Sequence, residues 1–186
     1  MSGWWLASYL VLWGVVIVLA LLVLALARQV GTLHLRLGPR GALELDDEGP
    51  PLGEAPEPVD RPDLRGRPVS VGGPGRPQLL LFVSPGCPVC REVLPSLPVA
   101  ARAGGMAGRV VVDAEAEQAG PVYGNGVGAP VIPGPDVARA YQIPGTPYAV
   151  VLDRLGVVRA KGTVNTMEQL EGLVDTARRR LEAPVG

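Results

Sequence analysis

The stretch that most constrains the fold is Ser84-Pro85-Gly86-Cys87-Pro88-Val89-Cys90, which holds the only two cysteines of the 186-residue chain. An apolar run from Leu79 to Val83 precedes it and reads as a buried strand, and helical spacing begins near Cys90. A helix whose first position is Pro88 accepts that proline freely, because the missing N–H has no intrahelical partner there. Cys87 then sits at the amino end of the helix. Unpaired N–H groups and the positive end of the helix dipole favour a thiolate over a thiol at that position. Cys87 is therefore the candidate exposed, attacking sulfur. Cys90, one turn in and more buried, is the candidate resolving partner that closes a disulfide with it.

Two other readings of a Cys-x-x-Cys pair stand beside this one. Such a pair is half of many zinc sites, but zinc takes four ligands. The one histidine, His34, lies far upstream beside an apolar segment, so no metal is expected. Cysteine also packs as an ordinary core residue, and the strand-to-helix setting argues against that. No cofactor beyond the Cys87–Cys90 pair is expected. Two cysteines exclude a multi-disulfide framework. With 17 basic and 18 acidic residues, the net charge of -1 leaves no basic surplus for nucleic acid.

Residues 3–27 contain no charge. As a helix they extend roughly 38 Å, enough to cross a bilayer core of ~30 Å with some tilt. All three tryptophans and Tyr9 fall within the first 13 residues, where interfacial aromatics belong. Ala25-Leu26-Ala27 is similar to a signal cleavage site, but the apolar run is too long for a signal peptide and no basic residue precedes it. Residues 1–28 are thus expected to be a retained transmembrane anchor. Orientation carries a conflict. Arg28, Arg36 and Arg40 follow the span and none precedes it, which by the positive-inside tendency puts the remainder in the cytoplasm. Disulfide chemistry belongs outside, and that argument is given precedence.

Residues 29–66 form the expected connector. Arg28 to Leu45 alternates apolar and basic residues and extends the helix briefly. Asp46 to Arg67 holds five prolines among Glu48, Glu54, Glu57, Asp60 and Asp63, with little to bury, and is expected to be an extended tether.

Residues 67–183 read as a globular domain. Expected strands are Pro68–Val71 at an edge, Leu79–Val83 at the centre, Arg109–Ala114, Tyr148–Asp153 and Val157–Lys161, the last two joined by a turn at Arg154-Leu155-Gly156. Cys90–Ala103 is a helix that Pro95 and Pro98 must kink. A short helix runs from Asp136 to Tyr141 with Asp136 as its cap. A last helix carries Met167, Leu170, Val174, Ala177 and Leu181 on one face, with Asn165 and Glu168 as its capping pair. Gly120–Pro135 is an insert too rich in glycine and proline for a minimal loop. It reads equally as a partner-recognition loop or as a surface excursion. Together these give an α/β domain: a mixed central sheet with helices on both faces.

The residues 67–181 resemble the thioredoxin fold. The resemblance rests on the apolar strand, Cys87-Pro88-Val89-Cys90, Pro95 eight residues after Cys87, and Ile143-Pro144-Gly145-Thr146-Pro147 before a strand. It implies that Pro147 is a cis-proline beside the cysteine pair. It also implies that Thr146 offers backbone groups to an extended substrate segment, and that Pro88, Val89, Thr146 and Pro147 line the substrate groove. More narrowly, Ser84 to Arg91, together with the membrane segment running through Leu26-Ala27-Arg28-Gln29-Val30-Gly31 and His34 to Gly41-Ala42-Leu43, is similar to the methylamine utilisation protein MauD family. That resemblance implies a membrane-anchored thiol–disulfide oxidoreductase facing the periplasm, which forms or rearranges disulfides in the small subunit of methylamine dehydrogenase. It names no redox partner. Two residues depart from thioredoxins proper. Gly86 replaces the aromatic before the first cysteine, and Leu81 replaces a buried acid on the strand. Proton transfer at Cys90 must then use water or another group, with Glu92 and Glu115 as candidates. Two rival functions are an anchored thioredoxin-like reductase of the cytochrome c maturation type and a non-catalytic assembly chaperone.

Overall fold

The computed structural model describes residues 3–36 and 48–182. The chain forms two compact units, one at the amino terminus and one comprising the remainder. The first is a single helix, α1 (Gly3–Arg36). Its stretch Gly3–Val23 is apolar and long enough to cross a membrane. Trp4, Trp5 and Tyr9 are exposed, and Tyr9 packs edge-on against Trp13 with ring centroids 6.3 Å apart. The helix runs past the charge-free segment 3–27 to Arg36, as the juxtamembrane pattern implies. Residues 37–45 of that extension lie outside the described residues.

The second unit is built on a five-stranded sheet in the order β5-β4-β3-β6-β7. The strands are β3 (Gln78–Val83), β4 (Ala107–Val112), β5 (Val131–Pro133), β6 (Tyr148–Leu152) and β7 (Val158–Thr163). β3 pairs parallel to β4 and antiparallel to β6, β4 pairs parallel to β5, and β6 pairs antiparallel to β7. β3 is buried along its whole length. Its alternation sends Leu79, Leu81 and Val83 to one face and Leu80 and Phe82 to the other. The first face is covered by α2 (Pro88–Val93), α3 (Leu97–Ala103), α4 (Ala116–Tyr123) and α6 (Met167–Glu182). The second is covered by α5 (Pro135–Ala140) and by residues of the hairpin β1 (Val59–Pro62) and β2 (Pro68–Val71). This is the expected mixed sheet with helices on both faces.

The prolines act as expected. Pro95 and Pro98 divide the helix after Cys90 into α2, a 3-10 turn at Leu94–Ser96, and α3, each proline falling in a first-turn position of the piece it opens.

Four local expectations are corrected. The acidic, proline-rich stretch before Arg67 is no free tether. Its residues 59–62 form β1, paired along their length with β2. Upstream of β1, Gly53 and Glu54 exchange backbone hydrogen bonds with Val158 on the β7 edge, at 2.9 and 2.8 Å. Beyond β1, the Leu64 N–H donates to Val131 O at 2.8 Å on the β5 edge. Leu52 and Val59 pack on the second core. The segment is thus a strap that packs on one sheet face and bonds to both edge strands, at one residue of each. The proline-rich composition hid it, because proline tolerates edge pairing while removing donors.

The insert 120–135 is likewise built into the domain, since α4 covers its first residues and β5 its last. α5 starts one residue earlier than expected. Gly134 is its cap and Pro135 its first residue, while Asp136 pairs with Arg61 on β1. The α6 cap is shifted by one residue. Thr166 Oγ1 accepts from Gln169 N at 3.3 Å and Gln169 Oε1 from Asn165 N at 2.6 Å, so Thr166 and Gln169 take the roles expected of Asn165 and Glu168.

Candidate active site

Parallel strand β3 ends at Val83, and the chain turns at once into α2. The Cys87 N–H donates to Ser84 O at 3.2 Å, closing a four-residue turn. Cys87 is the amino cap of α2 in extended backbone geometry, and Pro88 is the first helical residue. Cys87 and Cys90 form a disulfide, with Cα atoms 5.3 Å apart. The Cys90 N–H donates to Cys87 Sγ at 3.1 Å. Cys90 is completely buried, whereas Cys87 is partly exposed. The burial order matches the assignment of Cys87 as the reachable sulfur.

The β6 end supplies the other wall. The Thr146–Pro147 peptide is cis, the isomer implied by the resemblance. Pro147 is buried and Thr146 half-buried. Cys87 Sγ lies 3.7 Å from Thr146 O. In the disulfide that sulfur has no hydrogen to donate. Once reduced, a protonated Cys87 has an acceptor there, while a thiolate faces a carbonyl dipole that opposes it. The Cys90 N–H and the α2 terminus pull the other way, toward the thiolate. Pro88, Gly86 and Val89 are exposed around the sulfur. The groove residues read from the resemblance, Pro88, Val89, Thr146 and Pro147, therefore all surround the pair.

Two further residues belong to this constellation. Ser84 Oγ and Thr146 Oγ1 are hydrogen-bonded at 2.9 Å, tying the redox turn to the cis-proline loop. The Tyr123 hydroxyl donates to Ser84 O at 2.7 Å, so that one carbonyl accepts from both Cys87 and Tyr123. Burial pushes the Tyr123 phenol up, with Arg91 opposing this, so Tyr123 is a protonated donor at neutral pH. Ser84 lies inside the redox motif, but its residue type and spacing point to no role. Tyr123 lies in the glycine- and proline-rich stretch. Nothing there signalled a helix reaching back to the redox turn.

The core around Cys90 is apolar. Leu81, which takes the place of the thioredoxin acid, is buried in the same cluster as Cys90. Glu92 and Glu115, the carboxylates considered as proton carriers, are both exposed. Tyr123 carries that cluster's only hydroxyl among the described residues. Among the described residues no group of three or more metal-binding side chains occurs.

No family model matches the sequence. Curated proteins do match it almost end to end. The Methylobacillus flagellatus methylamine utilization protein MauD is 38% identical over 182 residues, covering 95% of this chain and 88% of that protein. The Paracoccus denitrificans MauD is 36% identical over 183 residues, covering 96% and 91%. The chain belongs to the MauD family. The MauD of Methylorubrum extorquens is 38% identical over 174 residues, covering 91% and 84%.

Solved structures share the fold at low identity. The thioredoxin domain of a thiol-disulfide oxidoreductase from Bacteroides vulgatus superposes with a TM-score of 0.53 at 23% identity, covering 69% of this chain and 96% of that one. A secreted Mycobacterium tuberculosis disulfide oxidoreductase gives 0.52 at 20%, covering 63% and 94%. This MauD-family chain thus has the thioredoxin fold and carries the cysteine pair of a thioredoxin-like thiol–disulfide oxidoreductase.

Proposed function

We propose that this protein is a membrane-anchored thiol–disulfide oxidoreductase that forms or rearranges disulfides during maturation of the methylamine dehydrogenase small subunit. The observation that carries this is the Cys87–Cys90 disulfide at the start of α2, against cis-Pro147. It sits in a chain matched over 95% of its length by a methylamine utilization protein. α1 is the single-pass anchor in the cytoplasmic membrane. The sheet domain is on the periplasmic side, where a disulfide survives.

A client segment lies extended along the Thr146 backbone over Val89 and Pro88. A client thiolate attacks Cys87 Sγ of the closed pair. The Cys87–Cys90 bond breaks, the electron pair goes to Cys90, and a mixed disulfide forms through Cys87. A second client thiolate then attacks the client sulfur of that bond and releases Cys87 as thiolate. The client gains a disulfide and the protein keeps both electrons as a dithiol. In the opposite direction, Cys90 thiolate resolves the mixed disulfide by attacking Cys87. Rearrangement uses both halves in turn and consumes no net oxidant.

Removal of Cys90 tests this reading. A Cys90→Ala protein, with no resolving thiol, accumulates covalent complexes through Cys87 in cells producing the dehydrogenase. The trapped partner is the small subunit, identified by mass spectrometry after non-reducing separation, and a membrane-impermeant maleimide reaches free Cys87 in intact cells. A trapped apocytochrome would transfer the protein to haem attachment. Absence of any complex, with activity surviving loss of Cys87, rules the exchange mechanism out.

A further inference from the structure

The carbonyl of Ser84 is the point where three separate segments meet. It closes the redox turn by accepting the Cys87 N–H at 3.2 Å, at the long end for an N–H donor, and accepts the Tyr123 hydroxyl at 2.7 Å, the usual length for an O–H donor. Its own side chain bonds Thr146 at 2.9 Å. Tyr123 is 2% exposed. Its helix α4 begins at Ala116, shortly after β4, so its reach to the turn is a tertiary contact across 39 residues.

α4 is itself held at its carboxyl end. Arg65, in the β1–β2 turn, reaches to Gly126 just beyond α4, close enough that a Cβ there would lie 2.6 Å from its guanidinium. Leu64 N–H bonds to Val131 at the start of β5. The strap therefore buttresses the helix that carries Tyr123.

We propose that Tyr123 is a positioning residue of the redox centre: its hydroxyl holds the Ser84 carbonyl and thereby keeps Cys87 Sγ aligned with the N–H groups that open α2. This rests on the oxidoreductase reading given above. The physical argument is short. A carbonyl held by two donors cannot swing, and the turn it closes fixes the Cα–Cβ direction of Cys87. Without the hydroxyl, Ser84 O keeps only the 3.2 Å bond. The turn loosens, and the average distance from Cys90 N–H to Cys87 Sγ lengthens from its present 3.1 Å. That change disfavours the thiolate. A less stable thiolate makes the dithiol form less favourable and the pair a weaker oxidant.

The test uses the full chain in detergent. Tyr123→Phe keeps the ring and removes the donor. Two quantities are read: the pH profile of Cys87 alkylation by iodoacetamide in the reduced protein, and the glutathione equilibrium, in which one disulfide plus two glutathione thiols gives one dithiol plus one glutathione disulfide. Tyr123→Phe alkylates about three- to tenfold more slowly at pH 6.5 and converges with wild type in alkali. Its equilibrium shifts about three- to tenfold toward the protein disulfide, about 15–30 mV more negative.

Asp153→Asn, in the distant β6–β7 turn, lowers stability but leaves both readouts in place. This separates positioning from general destabilisation. 3-Fluorotyrosine at position 123 is a stronger donor that preserves packing, and it shifts the alkylation profile the opposite way. This keeps the proposal falsifiable should Tyr123→Phe not fold. An unchanged profile and equilibrium in both Tyr123 variants overturn it. A wild-type pair that glutathione cannot cycle would instead overturn the oxidoreductase reading, so the two failures are distinct.

Discussion

At the scale of single residues, the buried carboxylates that close the turns of the sheet domain hold the most testable chemistry outside the redox centre. Asp153 is 5% exposed. Its Oδ1 accepts from Leu155 N at 2.8 Å and Val157 N at 2.9 Å, and its Oδ2 from the Arg159 guanidinium at 2.8 Å. Burial alone would raise its carboxyl. The hydrogen bonds from Val157, Arg159 and Leu155, with the Arg159 charge, outweigh that and hold it below the usual carboxylate range. Asp63 does the same in the β1–β2 turn, where burial is outweighed by Arg67 and by the Arg65 N–H.

A carboxyl depressed in the folded state stabilises fully above its unfolded value, ~3.9. That stabilisation is lost as pH falls through the lower folded value. The domain should therefore lose stability below about pH 4. Asp153→Asn, which leaves Arg159 without its charge partner, should cost about 1–3 kcal/mol at pH 7. The difference from wild type should shrink at pH 3. Thermal unfolding at the two pH values checks this, and an equal penalty at both would show that ionisation of Asp153 contributes nothing.

At the scale of elements, the cysteine helix and the strap show where local rules were sufficient and where they were not. Cys87 as cap, Pro88 as first residue, the break at Pro95 and Pro98, and the buried run in β3 all follow from rules acting within one turn or one strand. They were legible for that reason. The turn before Val157 was legible too, because Gly156 adopts φ +81 there, a conformation that favours glycine. β1 and α4 were not. β1 is a strand only because β2 pairs with it along its length. α4 is a helix despite Pro121 in its interior because Ala119 and Tyr123 are buried under it. Tertiary burial overrides weak local propensity in both.

The strap gives the prediction at this scale. A soluble fragment starting at Glu48 should unfold cooperatively. One starting at Arg67 loses the bonds to Val158 and Val131 and exposes the sites of Leu52 and Val59, and should be at least about 3 kcal/mol less stable or aggregate. Urea unfolding of the two fragments decides it. Equal stabilities would mean the strap is a passive tether after all.

At the scale of the whole molecule, the strap bonds to both edge strands, at Val158 of β7 and Val131 of β5. On the function proposed above, an extended client pairs with backbone beside the redox centre, at Thr146. The partly exposed Cys87, with Gly86, Pro88 and Val89 around it, stands at that same place. The proposed sulfur chemistry and client docking thus fall at one end of the domain, and α1 is long and apolar enough to cross a membrane. The replacement of a buried acid by Leu81 leaves the sulfur of Cys90 in an apolar cluster.

The most direct measurement of the central claim is the disulfide state of the methylamine dehydrogenase small subunit in cells whose only copy of this protein carries Cys87→Ala and Cys90→Ala together. Non-reducing electrophoresis after alkylation should show the small subunit with free thiols or mispaired disulfides, and no assembled dehydrogenase, while the double variant itself remains in the membrane at wild-type level. A small subunit as fully and correctly bridged as in wild-type cells would contradict the account, because the protein would then act without its sulfurs.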